Sequence, residues 1–159
     1  MPDFLAVTVA GLSPEQAAAP GHEGAFSPVE HCWHLADLER FGYGVRIARL
    51  RGELEPNLPD FDGAKAARER EYRKLSLAEG IETFRRTRLA NLETLRSLDP
   101  LEWLRTGTQE NVGRVALCDL PGMMAEHDAS HRAEIAELRN VSVAGRSPDP
   151  SESGPGARR

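Results

Sequence analysis

The chain has little cysteine, no excess of basic residues and no long apolar run, and each shortage removes a class of function. Its 159 residues include only two cysteines, Cys32 and Cys118. They form neither a CxxC pair nor a disulfide framework, which fits a reducing compartment, and each is expected to be a small buried hydrophobe. The 20 basic residues stand against 25 acidic ones, a net charge of −5. Such a chain has no electrostatic reason to grip DNA, RNA or an anionic membrane. No apolar stretch approaches bilayer-spanning length, and no basic segment leads into an apolar one at the N-terminus. The expectation is a cytoplasmic protein with a small-molecule substrate and neither nucleic acid nor membrane as partner. Also missing are strand alternation, internal repeats, a phosphate-binding loop, a Ser–His–Asp ordering and a paired-carboxylate signature.

Helix punctuation, in contrast, is plentiful. Ser13-Pro14-Glu15-Gln16, Ser27-Pro28-Val29-Glu30 and Ser76-Leu77-Ala78-Glu79 each read as a capped helix start, with Glu30 as the N3 partner of Ser27. The spacing predicts a short first helix over 13–19, preceded by an apolar stretch at 4–9. Further helices follow over 27–51, 63–74, 76–98 and about 120–140. Residues 53–62 and 104–116 read as loops, the second with a brief extended piece. One domain is expected over 1–143. The tail at 144–159, rich in Gly, Ser, Pro and charge, cannot bury enough surface to order itself.

Histidine carries the chemistry. His127 and His131 form an HxxxH pair, which a helix places on one face about 6 Å apart along its axis. His34, Leu38, Phe41, Val45 and Ala48 share one helical stripe, and Met124, His127, His131, Ile135 and Leu138 share another. Both stripes face inward. Three imidazoles in an apolar interior are costly unless hydrogen-bonded or metallated, and a set of three with open positions is what a catalytic metal site uses. His31, about 60° round the helix from His34, ranks second because its stripe lies nearer the flank. His22 falls in a Gly-rich loop and is expected in solvent. The competing reading is a hydrogen-bonded core cluster that binds nothing.

The residues add up to a resemblance. The run Phe26-Ser27-Pro28-Val29-Glu30-His31-Cys32-Trp33-His34-Leu35-Ala36-Asp37-Leu38-Glu39 is similar to the start of the second helix in DinB-like (YfiT-like) proteins. His127-Asp128-Ala129-Ser130-His131-Arg132 resembles that superfamily's closing HxxxH helix, 93 residues beyond His34. Arg46-Ile47, the loop Pro59-Asp60-Phe61-Asp62-Gly63, and Phe84 with Arg88 resemble one uncharacterised branch of it. The match covers about residues 12–140.

The resemblance implies an all-α, up-down-down-up four-helix bundle with a divalent metal, zinc, nickel or iron, held by His34, His127 and His131. It further implies a homodimer, in which the groove left by a short first helix could be filled by a second subunit. For function it implies a metal-dependent transferase working with a low-molecular-weight thiol. The alternatives are a non-catalytic metal- or ligand-binding bundle and a metal-dependent hydrolase. Beside the ligands, Asp37 is placed one turn after His34 to orient an imidazole. Tyr72 is a candidate for the pocket wall, and Arg88 for an anionic substrate or an acid partner. Asp128 is expected to face a neighbouring helix or solvent, and Glu126 and Glu134 a solvated face. Trp33, Trp103, Met123 and Met124 read as packing residues.

Overall fold

The computed structural model describes residues 1–144, with side chains through Arg139. The tail expected at 144–159 lies, apart from Ala144, outside the described residues. Four helical rods make the bundle. The first is α1 (Pro2–Thr8), built from the apolar stretch that precedes the expected first helix. Leu5 and Val9 are buried in the core, and Arg139 donates to the carbonyls of Val7 and Thr8 at 3.0 Å each. The segment thus docks within its own chain and fills the groove that a short first helix would leave. The capped helix at Ser13, α2 (Pro14–Ala18), is a five-residue piece lying against the next rod.

That second rod is α3 (Pro28–Asp37), a π-helical turn (Leu38–Tyr43) and α4 (Gly44–Gly52). Every residue of α3 is buried. Its start is fixed by the capping box, with the Ser27 N–H and Oγ both donating to Glu30 Oε2 at 2.8 Å. In the π turn the Gly44 N–H reaches back to the Glu39 carbonyl, one residue further than in an α-helix. One extra residue rotates everything downstream by about 100°. The stripe expected to run through Phe41, Val45 and Ala48 is therefore replaced by Gly42, Tyr43, Ile47 and Leu50, and Phe41 is left 46% exposed.

The remaining rods are α6 (Leu77–Arg96), capped by Ser76, and α7 (Leu120–Ala144). Trp33 Nε1 donates to the Ser76 carbonyl at 2.9 Å, joining α3 to the start of α6. Between the second and third rods lie α5 (Gly63–Glu69), begun by the Asp62 cap, and a 3-10 turn (Tyr72–Lys74). The single helix expected over 63–74 breaks at Glu71, whose φ of 49° is left-handed. The loops at 53–62 and 104–116 contribute a small sheet, where only a brief extended piece in the second loop is expected from the sequence. β1 (Asn57–Leu58) runs parallel to β2 (Thr106–Gln109), which pairs antiparallel with β3 (Gly113–Ala116). Its inward positions are Leu58, Gly107, Gln109 and Val115, so the β2–β3 hairpin contributes only one large apolar residue.

The core has two apolar halves. One gathers Leu5, Val29, Trp33, Leu35, Phe84 and Ile135; the other gathers Leu38, Ile47, Leu58, Leu95, Val115 and Met124. Along α3, α6 and α7 the switch between halves falls at polar residues: His34 and Asp37, then Arg88 and Asn91, then His127, Asp128 and His131. A polar layer therefore crosses the bundle. Cys32 is buried as expected and burial pushes its thiol up to about 12, but Cys118 is exposed on the turn before α7, not buried. Among the described residues no helix is long and apolar enough to cross a membrane.

Candidate metal centre

His34, in the last turn of α3, and the i,i+4 pair His127 and His131 on α7 meet inside the polar layer. His34 Nε2 lies 3.3 Å from His127 Nε2, and His131 Nε2 lies 3.2 Å from the same atom. Two nitrogens each about 2.1 Å from one ion, at an angle near 100°, stand about 3.2 Å apart. The observed separations fit a common cation as they stand. His34 and His131 are 9% exposed, and His127 is half-buried.

Electrostatics keep the lone pairs available. Burial, then the charges His131, His127 and His31 would carry, lowers His34 to about 3. Burial, then His131, lowers His127 to about 4. Burial lowers His131 too, opposed by Asp128. All three are neutral near pH 7, the state in which imidazole binds metal.

The ring of His34 is held by packing. It lies between Phe26 and Phe61, with centroids 5.3 and 5.8 Å away. Its Nδ1 is buried with no hydrogen-bond partner among the described residues. A Cβ on Gly63 would overlap that same ring, so the glycine at the start of α5 is what admits it.

Asp37 does not touch an imidazole. Its carboxylate accepts from Arg70 and from the Tyr72 hydroxyl, tying α3 to the segment after α5. Burial, then Asp37, raises the Tyr72 phenol well above its ordinary value. Tyr72 and Glu30 face a cavity on that side, together with Arg68, Arg73 and Lys74. Arg88 takes the acid-pairing option. Its Nε donates to Glu39 Oε1 at 2.7 Å, while Nη1 and Nη2 fork onto Asp128 at 2.7 and 3.0 Å. Glu39 also accepts from Asn91 Nδ2 at 2.7 Å. Asp128, next to His127, is thereby anchored to α6, and the rotation of α7 is set.

Two groups near the site carry more than the sequence reading gave them. His31 sits in the interior with its Nδ1 2.9 Å from His131 Nδ1, not on a flank. Glu134, half-exposed, lies within 4 Å of both rings. Because α3 is buried on every side, stripe geometry could not separate His31 from His34; a second buried histidine one turn from the first was the available signal. A cavity of about 520 Å³ opens onto this cluster. Its walls include His22, Phe26, His31, His34, His131, Glu134, Glu137 and Leu138, with no Lys or Arg among the described lining residues. His22 is exposed, as expected, at the rim.

Fold and site define a helical bundle whose polar layer brings three imidazoles together, two of which, His34 and His131, line a cavity. The profile of the DinB superfamily matches residues 2–135, and the chain belongs to that superfamily. No curated protein matches it. Among solved structures it is similar to YfiT from Bacillus subtilis, described as a probable metal-dependent hydrolase with an unusual four-helix bundle topology. The TM-score is 0.80 and the identity 19%, over 89% of this chain and 81% of that one.

Proposed function

We propose that the protein is a divalent-metal enzyme that hydrolyses a small, uncharged or cationic substrate. The observation that carries this reading is the convergence of three imidazoles, with His34 Nε2 and His131 Nε2 at 3.3 and 3.2 Å from His127 Nε2, beside a ligand-sized cavity that His34 and His131 line. His34, His127 and His131 would hold the ion, and zinc, nickel and iron all suit imidazole. When bound, the metal supplies Lewis acidity to the floor of the cavity. Glu134, a carboxylate on the cavity wall, would take a proton from an attacking water. Phe26 and Leu138 keep the approach apolar, while Glu134 and Glu137 repel anionic substrates and welcome amines. The description of YfiT as a probable metal-dependent hydrolase supports the same class.

A second reading, transfer to a low-molecular-weight thiol, is favoured by one feature. The cavity bearing Arg68, Arg73 and Lys74 shares Gly24, Ala25 and Phe26 with the histidine cavity, and it could anchor the carboxylates of such a thiol.

The test begins with elemental analysis of untagged protein beside His34→Ala and His127→Ala. Near-stoichiometric metal in the wild type, lost in both variants, is expected. No metal after incubation with zinc, nickel or manganese would leave the histidines as a hydrogen-bonded cluster and end the enzyme reading. Cobalt-loaded protein then separates the two chemistries. A thiol that alters its visible spectrum supports transfer, and turnover of ester or amide substrates without thiol supports hydrolysis.

A further inference from the structure

His31 has no part in the proposed chemistry, yet it is the most enclosed of the clustered histidines, at 1% exposure. Its ring meets that of His131 edge-on, with centroids 5.0 Å apart and planes at 74°. The two Nδ1 atoms, at 2.9 Å, are at hydrogen-bond distance. A neutral imidazole carries one N–H and one lone pair, so one of these nitrogens donates and the other accepts. If His31 donates, His131 must keep its proton on Nε2 and is lost as a ligand. If His131 donates, its Nε2 lone pair faces His34 and His127.

Glu134 decides between the two. Its Oε2 is 3.7 Å from His31 Nε2 and 3.8 Å from His131 Nδ1. An ionised carboxylate only accepts, and it favours protons on the atoms it faces. Protons at those two positions leave His31 Nδ1 bare and His131 Nε2 free. His31, His131 and Glu134 are also near enough to one another to hold an ion of their own. The carboxylate approaches His31 at Nε2 whereas the rings meet through Nδ1, and the zinc stoichiometry below separates a second ion from a hydrogen bond between the rings.

We propose that His31 is a positioning residue: its Nδ1 accepts a hydrogen bond from Nδ1–H of His131 and so keeps the His131 Nε2 lone pair turned toward the site shared with His34 and His127. The inference rests on the metal reading above and deepens it. A histidine ligand whose second nitrogen is bonded is oriented and more basic, and loss of such a partner costs about 10–100-fold in affinity.

The test compares wild type, His31→Leu and His31→Asn by zinc affinity in chelator competition and by the visible spectrum of the cobalt form. Asparagine keeps an acceptor, Oδ1, where Nδ1 stood; leucine removes it. Leucine is expected to weaken zinc by about 10–100-fold and to alter the cobalt bands. Asparagine is expected to stay within a few-fold of wild type with its bands preserved. Melting of the metal-free proteins controls for folding. If the leucine variant does not fold, His31→Gln, whose acceptor is displaced from the Nδ1 position, takes its place. Unchanged affinity and bands in the leucine variant would overturn the proposal, as would an asparagine variant no better than leucine. So would two equivalents of zinc in the wild type against one in His31→Leu, which would make His31 a ligand. A wild type that binds no metal would instead sink the centre itself.

Discussion

Gly63 does for His34 by empty space what a hydrogen-bonded neighbour does for His131. One ring is fixed by two phenylalanines and a missing Cβ, the other through its Nδ1. Both imidazoles are neutral because they are enclosed, and this has a cost in acid. His34 sits at about 3 and His127 at about 4, whereas an unfolded histidine titrates near 6.5. Between those values the unfolded chain binds more protons than the native one. Stability of the metal-free protein is therefore fully present above about pH 6.5 and is lost as pH falls toward 4 and then 3. The loss approaches about 1.4 kcal/mol per pH unit for each group. Urea denaturation at pH 7, 5.5 and 4.5 should show this decline. A flat profile would mean that the imidazoles are hydrated and can charge in place.

At the scale of elements, the Arg88 fork joins the π turn, α6 and α7. Glu39 is 1% exposed, and burial raises its pKa against the pull of Arg88 and Asn91. Arg88→Met keeps the packing over Phe84 but leaves that carboxylate without its cation. It should cost about 3–5 kcal/mol in urea denaturation, and a loss below about 1 kcal/mol would show that water already serves the acids. The fork was half legible: Arg88 was a candidate for an acid partner, but pairing across three elements leaves no periodic trace. Helix starts were readable because Ser13, Ser27 and Ser76 carry their signals locally. The HxxxH pair was readable because it shares a stripe with Met124, Ile135 and Leu138, whereas His34 was readable from the resemblance of its run and not from its stripe, which the π turn breaks after Leu38. The π turn was hidden, since Phe41 completes a plausible stripe and only the tertiary site for Glu39 and Asn91 favours the extra residue. The hairpin was hidden too, because Gly107 and Gln109 occupy inward positions where alternation would show large apolar residues. Asp37 was misplaced for a similar reason. One turn after His34 is the right distance for an imidazole, but Arg70 and Tyr72, distant in sequence, reach it first.

Across the whole molecule, the polar layer separates the apolar half around Leu5, Trp33 and Phe84 from the half around Ile47, Leu58 and Met124. Each half has its own packing, and the seam contributes charge pairs and imidazoles where other bundles continue their leucines. Without metal, the halves have reason to open separately, so amide exchange should sort the protected sites of α6 into two classes, before Arg88 and after Asn91. An ion shared by α3 and α7 would act as a rivet through that seam. Zinc should slow exchange in both halves together and merge their opening free energies; two rates that persist with zinc bound would show that the halves stay independent. A site built to reach substrate would then also decide whether this chain opens in two pieces or in one.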